Sequence, residues 1–391
     1  MLRVTGGLPA ALSRVREIGP LVEERAHEAE QLGRLTDDVV EAFHETGLLR
    51  VLLPSDLGGF GLTIPESVEV FRAMSERDAS AGWLHAILGN GPLFGAFVTQ
   101  AAFEEVFAAP RAVMAGSLNP LGGVAEPVPG GYRFTGRATN VSGCRHATWL
   151  MAGAWVHRDG ERSWIDGRPE MTAGLLPMEG ITIVDTWDTA GMRATGSDDC
   201  VYRDVFVPEE RTFAWPEPAP RRDAGPVGDI PMHVQLGGGI AATVVGAARG
   251  ALDRFIELAV AKRPTANAGV LADRSFAQMV VGEGRGLLLA AEDTLAAGIE
   301  DIWAQGSRGD PFDTEARVRL RLRMVTAARL GLRVVDLVND AAGMSGIRRP
   351  GPLERAWRDV HTAVQHVLLS VSCLEVAGRL LLGRDPESAV I

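Results

Sequence analysis

The sequence predicts an α+β protein that is mostly α. An N-terminal helical domain is expected over residues 1–111 and a middle antiparallel β-domain over 112–215. A linker at 216–231 then leads into a C-terminal four-helix bundle over 232–391. Three observations carry this division. Up to about residue 112, apolar residues recur at three- and four-residue intervals and no strand-like alternation is found. Between 112 and 213, glycine and proline become frequent and short alternating runs replace the helical period. Beyond the proline- and charge-rich stretch at 216–231, four long helical patterns follow one another.

From Arg14 to about Gly47, the residues Leu21, Val22, Ala26, Ala29 and Leu32 mark one apolar stripe with Glu and Arg between them. Thr36, Asp37 and Asp38 offer an N-cap for a second helix, and Gly47 its end. Leu52, Leu53 and Pro54, then Gly58, Gly59, Phe60 and Gly61, break the pattern. Residues 64–73 and 79–88 read as further helices, the second bearing His85. Strands are expected at 112–116, 132–139, 149–156, 172–176 and 200–207, with the polar stretch 158–169 as a hairpin loop. Long helices are expected at 232–261, 272–298, 314–343 and 352–383, with Gly343, Gly346 and Pro350 punctuating the last connection. Gly237, Gly238 and Gly239, and the glycines of 282–286, lie inside helical pattern, where small residues allow close packing. No GxGxxG opens a βαβ unit, so no nicotinamide-binding Rossmann site is readable.

The formal charge of −11 argues against a nucleic-acid or anionic-membrane partner, since no basic block exists to release counterions. The three cysteines, Cys144, Cys200 and Cys373, are far apart and show no metal-ligand spacing, so neither a disulfide framework nor a metal site is expected. The N-terminus lacks a signal-peptide core and no apolar run approaches membrane-spanning length, which makes the cytoplasm the expected compartment.

The stretch 185–209 is the most informative. Trp187 and Asp188 lead into Gly191, Met192, Arg193, Ala194, Thr195, Gly196 and Ser197, a turn crowded with glycines and hydroxyls. Hydroxyls and bare amides at a tight turn make a hydrogen-bonding rim for a planar, polar-edged ligand. A strand follows at 200–207, ended by Pro208 and Glu209. The string W-D-x-x-G-M-R-x-T-G-S followed by a strand and V-P-E resembles the middle domain of the acyl-CoA dehydrogenase fold. More narrowly, it resembles the branch holding the two-component flavin-dependent monooxygenases, and the likeness runs from about Pro20 to about Leu382. Helix–β–helix order is that fold's architecture, so the period of the sequence and the resemblance reach the same fold.

The resemblance nominates residues. Ser142, in the segment Thr139, Asn140, Val141, Ser142, Gly143, Cys144, Arg145 and His146, matches the hydroxyl that lies along the flavin ring and bonds N5 in these relatives. Such a bond protects a C4a-hydroperoxyflavin from collapse to hydrogen peroxide. Where relatives often carry Trp, this chain has Ala138. The run Leu353, Glu354, Arg355, Ala356, Trp357, Arg358, Asp359 and onward to His366 resembles the signature of the fold's last long helix. Asp359, Ala363 and His366 then share one helix face, with His361 turned away. His366 is the implied base or orienter, and His85 the implied substrate holder. Gly143, Trp187, Thr195, Ser197 and Arg263 are the further candidates for the cofactor, with Arg274 a second phosphate partner beside Arg263. Asn90, Asn119 and His146 are candidates for lining the substrate cavity.

An empty seat points the same way. Dehydrogenases of this fold need a carboxylate to remove a substrate α-proton. Its common position here holds His366 and Val367, and the alternative stretch 234–254 contains no glutamate. The resemblance thus implies a monooxygenase that takes reduced flavin (FMN or FAD) from a separate reductase and uses O2. It would hydroxylate a phenolic or aromatic molecule, or an amine including an amino sugar. A homotetramer packed through the C-terminal helices is also implied. A dehydrogenase or oxidase with a displaced base, or an inactive binding member of the fold, are the alternatives.

Overall fold

The computed structural model describes residues 6–264 and 269–385. Helix α1 spans Gly7–Leu32 and stops at Gly33, whose left-handed backbone (φ 65°) returns its N–H to Ala29. In α2, Asp37–Glu45, two acids occupy the first turn, where the helix dipole favours negative charge. Thr36 stands at its N-cap position but gives its hydroxyl to Asp38, so the expected side-chain cap does not form. Helix α3, Ile64–Ser75, begins with a reciprocal capping box between Thr63 and Glu66. Helix α4, Ala79–Gly89, begins on Asp78, whose carboxylate accepts the Ala81 N–H at 2.9 Å. The short α5, Gly91–Phe94, and α6, Gln100–Phe107, complete the N-terminal helices.

The chain then runs through β1, Met114–Ser117, β2, Gly123–Val128, β3, Gly131–Val141, and β4, Trp149–Arg158. Short strands β5 (Glu161–Arg162), β6 (Trp164–Ile165) and β7 (Arg168–Pro169) occupy the expected loop. Strands β8 (Met171–Pro177), β9 (Thr182–Val184), β10 (Asp198–Pro208) and β11 (Thr212–Trp215) follow. The main sheet is ordered β11-β8-β4-β2-β3-β10-β9, with β1 and β5 also on β4. It is mixed, which corrects the antiparallel expectation: β1 and β2 both run parallel to β4. The β2–β3 hairpin causes this, because the chain must cross back over it before β4 can join the far side of β2. Strand β2 was invisible in the sequence because its glycine serves packing. A Cβ on Gly123 would lie 2.6 Å from the Gly153 carbonyl oxygen.

After the turn α7, Pro226–Asp229, the bundle is built from α8 (Met232–Ala261), α9 (Ser275–Ser307) and α10 (Thr314–Ala342). The fourth long helix expected at 352–383 is in fact two, α11 (Pro352–Ala363) and α12 (Ser372–Leu381). Val364, Leu368 and Leu369 are drawn into the core between them. The carbonyl of Val367, freed by the break, accepts from Arg321 of α10 at 3.0 Å. Gly237, Gly238 and Gly239 do serve close packing: Cβ atoms there would strike Met324, Ile299 and Asn90. Gly282 and Gly286 have nothing within 4 Å.

The two largest apolar cores among the described residues meet along one seam. One fills the bundle around Val244, Phe255, Leu288, Leu320 and Val334, and the other joins the N-terminal helices to the sheet through Phe43, Phe71, Leu84, Phe134 and Tyr202. Burying each large side chain of this kind contributes about 1.5–3 kcal/mol. Helix α4 lies on the seam, with Trp83 in the first core and Leu84 in the second. The loop before β10 divides likewise at Met192 and Ala194. The chemistry-bearing groups gather along this seam.

Candidate active site

The loop from Trp187 to Ser197 is held at both ends. Asp198 accepts the backbone N–H groups of Thr186 and Trp187 at 3.0 and 3.1 Å, and its other oxygen takes Arg145 Nε at 2.7 Å. In the middle, Gly191 passes so close to α11 that a Cβ there would lie 2.2 Å from the Arg358 carbonyl oxygen. Arg358 donates to the Ala190 carbonyl at 2.7 Å, and the Met192 N–H donates to Asp359 Oδ1 at 2.5 Å. Arg358 is itself buried between Glu354 and Glu30. Asp359 is fully enclosed, and burial, then the neighbouring Asp78, pushes its carboxyl up to about 7. Asp78 in turn pairs with Arg355 at 3.4 Å while capping α4, so one buried cluster fixes helix α4, helix α11 and the loop together.

That clamping sets a file of hydroxyls. The Trp83 indole donates to Ser142 Oγ at 3.1 Å, and Ser142 Oγ meets Ser197 Oγ at 2.7 Å. Ser197 Oγ meets Thr195 Oγ1 at 2.7 Å, and Thr195 donates to the Met192 carbonyl at 2.7 Å. Trp187 Nε1 donates to the same carbonyl at 2.8 Å. Gly143, with φ 73°, ties Ser142 to the loop through its N–H on the Thr195 carbonyl, 2.9 Å away. A Cβ on Gly143 would press on Leu84 and Leu88 of α4.

His366 approaches from the break between α11 and α12. Its ring stands edge-on to Trp83, with centroids 5.5 Å apart and planes at 71°. It therefore reaches the group from a turn, not from the helix face it was expected to share with Asp359 and Ala363. The Leu368 N–H donates to His366 Nδ1 at 3.2 Å, so the neutral ring carries its proton on Nε2. Burial, then the Arg321 charge, lowers its pKa to about 4, so the ring is neutral near pH 7.

The structure thus brings Ser142, Gly143, Trp187, Thr195, Ser197 and His366 together, and leaves the other candidates outside that hydrogen-bonded group. His85 is fully buried between the Phe43 and Phe71 rings, and its Nε2 bonds the Leu48 carbonyl at 2.8 Å. Two residues along a helix turn about 200°, so Trp83 faces the seam and His85 faces the opposite core. The expectation that His85 looks into the substrate cavity is corrected accordingly. Asn90 is buried against Gly239 of α8. Asn119 is exposed and caps the turn at Leu121. His146 is lowered to about 4 by burial, then by Arg34, and lies among Arg34, Asp37 and His44 of the N-terminal helices. Arg263 is exposed at the end of α8, and Arg274 half-buried at the start of α9.

Sequence reasoning missed Trp83, Arg358 and Asp359 as parts of this site. Trp83 stands two places before the histidine that drew attention, and the arginine and aspartate were read only as a signature. A deep cleft of about 1190 Å³ opens at the other end of the sheet, lined by Tyr132, Trp155, Glu170, Trp215 and Arg221. None of the hydroxyl-file residues lines it; its polar side chains, among them Arg168, Glu170, Glu209 and Arg221, are mostly charged. Among the described residues, no group of three or more His, Cys, Asp or Glu side chains could hold a metal ion.

This arrangement sets a hydroxyl beside an indole, with a neutral imidazole edge-on to the same indole. Such a set of groups suits a planar aromatic ligand. Comparison with known proteins gives the family. The acyl-CoA dehydrogenase N-terminal domain family matches residues 15–105, and the acyl-CoA dehydrogenase C-terminal domain family matches 238–371. The oxygenase subunit HsaA of a flavin-dependent monooxygenase from Rhodococcus jostii (strain RHA1) is 31% identical, over 97% of this chain and 96% of that one. Indole-3-acetate monooxygenase from Pseudomonas putida is 31% identical over 93% of this chain and 92% of its own. XiaF from Streptomyces sp., solved with FADH2 and glycerol, superposes with a TM-score of 0.89 at 27% identity, covering 98% of both chains.

Proposed function

Because the chain belongs to the family of flavin-dependent monooxygenase oxygenase components built on the acyl-CoA dehydrogenase fold, we propose that its hydroxyl file receives the flavin ring and that His366 orients the substrate. The chain is an oxidoreductase that uses reduced flavin, FMN or FAD, and O2 to hydroxylate a small molecule. As an oxygenase component it takes that flavin from a separate reductase.

The observation that carries the site reading is Ser142. Its hydroxyl is wedged between Trp83 and Ser197, with His366 edge-on to the same indole. When bound, reduced flavin supplies the electrons that activate O2, and the chain's own groups do the rest. A flat ring would lie beside Trp83 and Ser142. Ser142 would meet the ring's polar edge, with the clamped loop behind it. His366, with Nδ1 committed to the Leu368 N–H, presents Nε2–H as a donor. A phenol or phenolate oxygen accepts such a bond, whereas a protonated amine has only donors to offer. The substrate we assign is therefore a phenol or a fused aromatic bearing a hydroxyl. The stretch 234–254 offers no glutamate that could serve as an α-proton base.

The homotetramer is supported by apolar side chains left uncovered on the C-terminal helices. Phe276, Met279 and Leu289 of α9 are 51%, 71% and 49% exposed. Val367 and Val371, beside His366, are 60% and 62% exposed. A second copy would cover them and wall the site. The cytoplasm suits three unpaired cysteines, and among the described residues no helix is long and apolar enough to cross a membrane.

Anaerobic titration with reduced FMN and FAD, followed by oxygenated buffer and a panel of phenols, tests this reading. Tight binding of one reduced flavin and a hydroxylated product are expected. His366→Ala should lower product per flavin oxidised and raise hydrogen peroxide correspondingly. Absence of flavin binding, or product yield indifferent to residue 366, would overturn it.

A further inference from the structure

We propose that Ser197 and Thr195 are positioning residues that fix Ser142 as a hydrogen-bond acceptor, so that the site selects the reduced over the oxidised flavin ring. This rests on the flavin reading above and adds to it a direction for every proton in the hydroxyl file.

Proton counting sets that direction. At one end stands the Trp83 indole, which can only donate; at the other stands the Met192 carbonyl, which can only accept. Between them lie three hydroxyls, each with a single proton. Thr195 spends its proton on the Met192 carbonyl at 2.7 Å, so toward Ser197 it can only accept. Ser197 must then give its proton to Thr195, and Ser142 must give its own to Ser197 at 2.7 Å. The reverse order would require Thr195 to give up its 2.7 Å bond to the Met192 carbonyl, and would leave Ser142 with a free proton and the opposite preference. Both ends polarise the file the same way, and such chains strengthen each member.

Ser142 is left with a lone pair and no proton to offer. It is also the outermost of the three, 8% exposed against 3% for Ser197 and 1% for Thr195. The central ring of a reduced flavin carries N–H at N5 and can donate to that lone pair. The oxidised ring carries a bare nitrogen there and would set lone pair against lone pair. Discrimination between the two forms thus resides in residues that need not touch the ring at all. The loop clamp belongs to the same device, since the Asp359 bond to the Met192 N–H holds the residue whose carbonyl ends the file.

The test is a ratio of dissociation constants. The full chain is titrated anaerobically with reduced and with oxidised forms of whichever of FMN and FAD it binds more tightly. Ser197→Ala removes the acceptor for the Ser142 proton and lets that hydroxyl donate. It should raise affinity for oxidised flavin relative to reduced flavin by about five- to tenfold, the worth of one hydrogen bond. Thr195→Val, nearly isosteric, releases the Ser197 proton and should move the ratio the same way by a smaller factor. Thr195→Ser preserves the file and should keep the wild-type ratio. A wild type that binds both forms alike, or one whose ratio is unchanged in both Ser197→Ala and Thr195→Val, would overturn the inference alone. A wild-type chain that binds neither flavin form would overturn the flavin reading and this inference with it.

Discussion

Asp359 is a carboxyl that the fold keeps from ionising. Burial, then Asp78, raises it from 3.8 to about 7, although the Met192 N–H and the charges of Arg355 and Arg358 pull the other way. The sign of its linkage follows. Between about pH 4 and 7 the folded chain holds a proton there that the unfolded chain has released, so the unfolded state gains relative stability as pH rises. The Asp359 contribution is therefore fully present below pH 3.8 and lost as pH climbs through about 7. Asp359→Asn keeps an acceptor for Met192 without the titration. Thermal unfolding from pH 5 to 8 should show that the variant gains on the wild type at the alkaline end. Asp359→Ala should instead destabilise at pH 5, by about 1–3 kcal/mol for an orphaned buried N–H, with the deficit shrinking toward pH 8. Parallel curves for wild type and Asp359→Asn would refute the assignment. Ser142, Thr195, Ser197 and His366 were legible at this scale because short polar residues beside glycines, and a histidine in a signature, are local signals. Trp83 and Asp359 were not, since their partners Ser142 and Met192 lie 59 and 167 residues away. No window of sequence contains such pairs.

Among the elements, the long helices of the bundle and most of the longer strands were legible from period alone. What escaped were features whose cause lies in a neighbour. Strand β2 is short and opens on Gly123, which packs against the Gly153 carbonyl, and the break between α11 and α12 has no glycine or proline to announce it. Arg321 of α10 stands at that break, donating to the Val367 carbonyl at 3.0 Å and reaching Cys373 Sγ at 3.1 Å. These bonds hold the turn that carries His366. Arg321→Met keeps the apolar stem and removes the donors. It should cost about 1–3 kcal/mol of stability and speed amide exchange across residues 364–371 ahead of the rest of the bundle. It should also raise His366 basicity, because the Arg321 charge is the second cause that depresses it. Exchange that stays uniform along α11 and α12 would show that the turn stands without this arginine.

For the whole molecule, the decisive feature is the bare side of α9. Phe276, Met279, Gly282, Gly286 and Leu289 lie within about 140° of one another around the helix, and a Cβ on either glycine would meet nothing within 4 Å. Glycines inside a helix cost about 1 kcal/mol each relative to alanine, a cost without return unless another backbone comes close. Monomers rarely expose contiguous apolar patches of this kind, and Leu374, Leu381 and Leu382 extend the apolar surface onto α12. A second copy packed on α9 would satisfy both the glycines and the apolar side chains. Met279→Glu would bury an unpaired carboxylate in that contact and weaken it by about 2 kcal/mol or more, roughly thirtyfold. Light scattering on the eluting protein should give a tetramer for the wild type and smaller species for Met279→Glu at micromolar concentration. Trp164→Glu, on the exposed β6–β7 hairpin, should leave the wild-type mass. If α9 also helps wall the flavin site, Met279→Glu should lose reduced-flavin affinity in step with its mass. A monomeric wild type, or a Met279→Glu variant that stays tetrameric, would place the contact elsewhere.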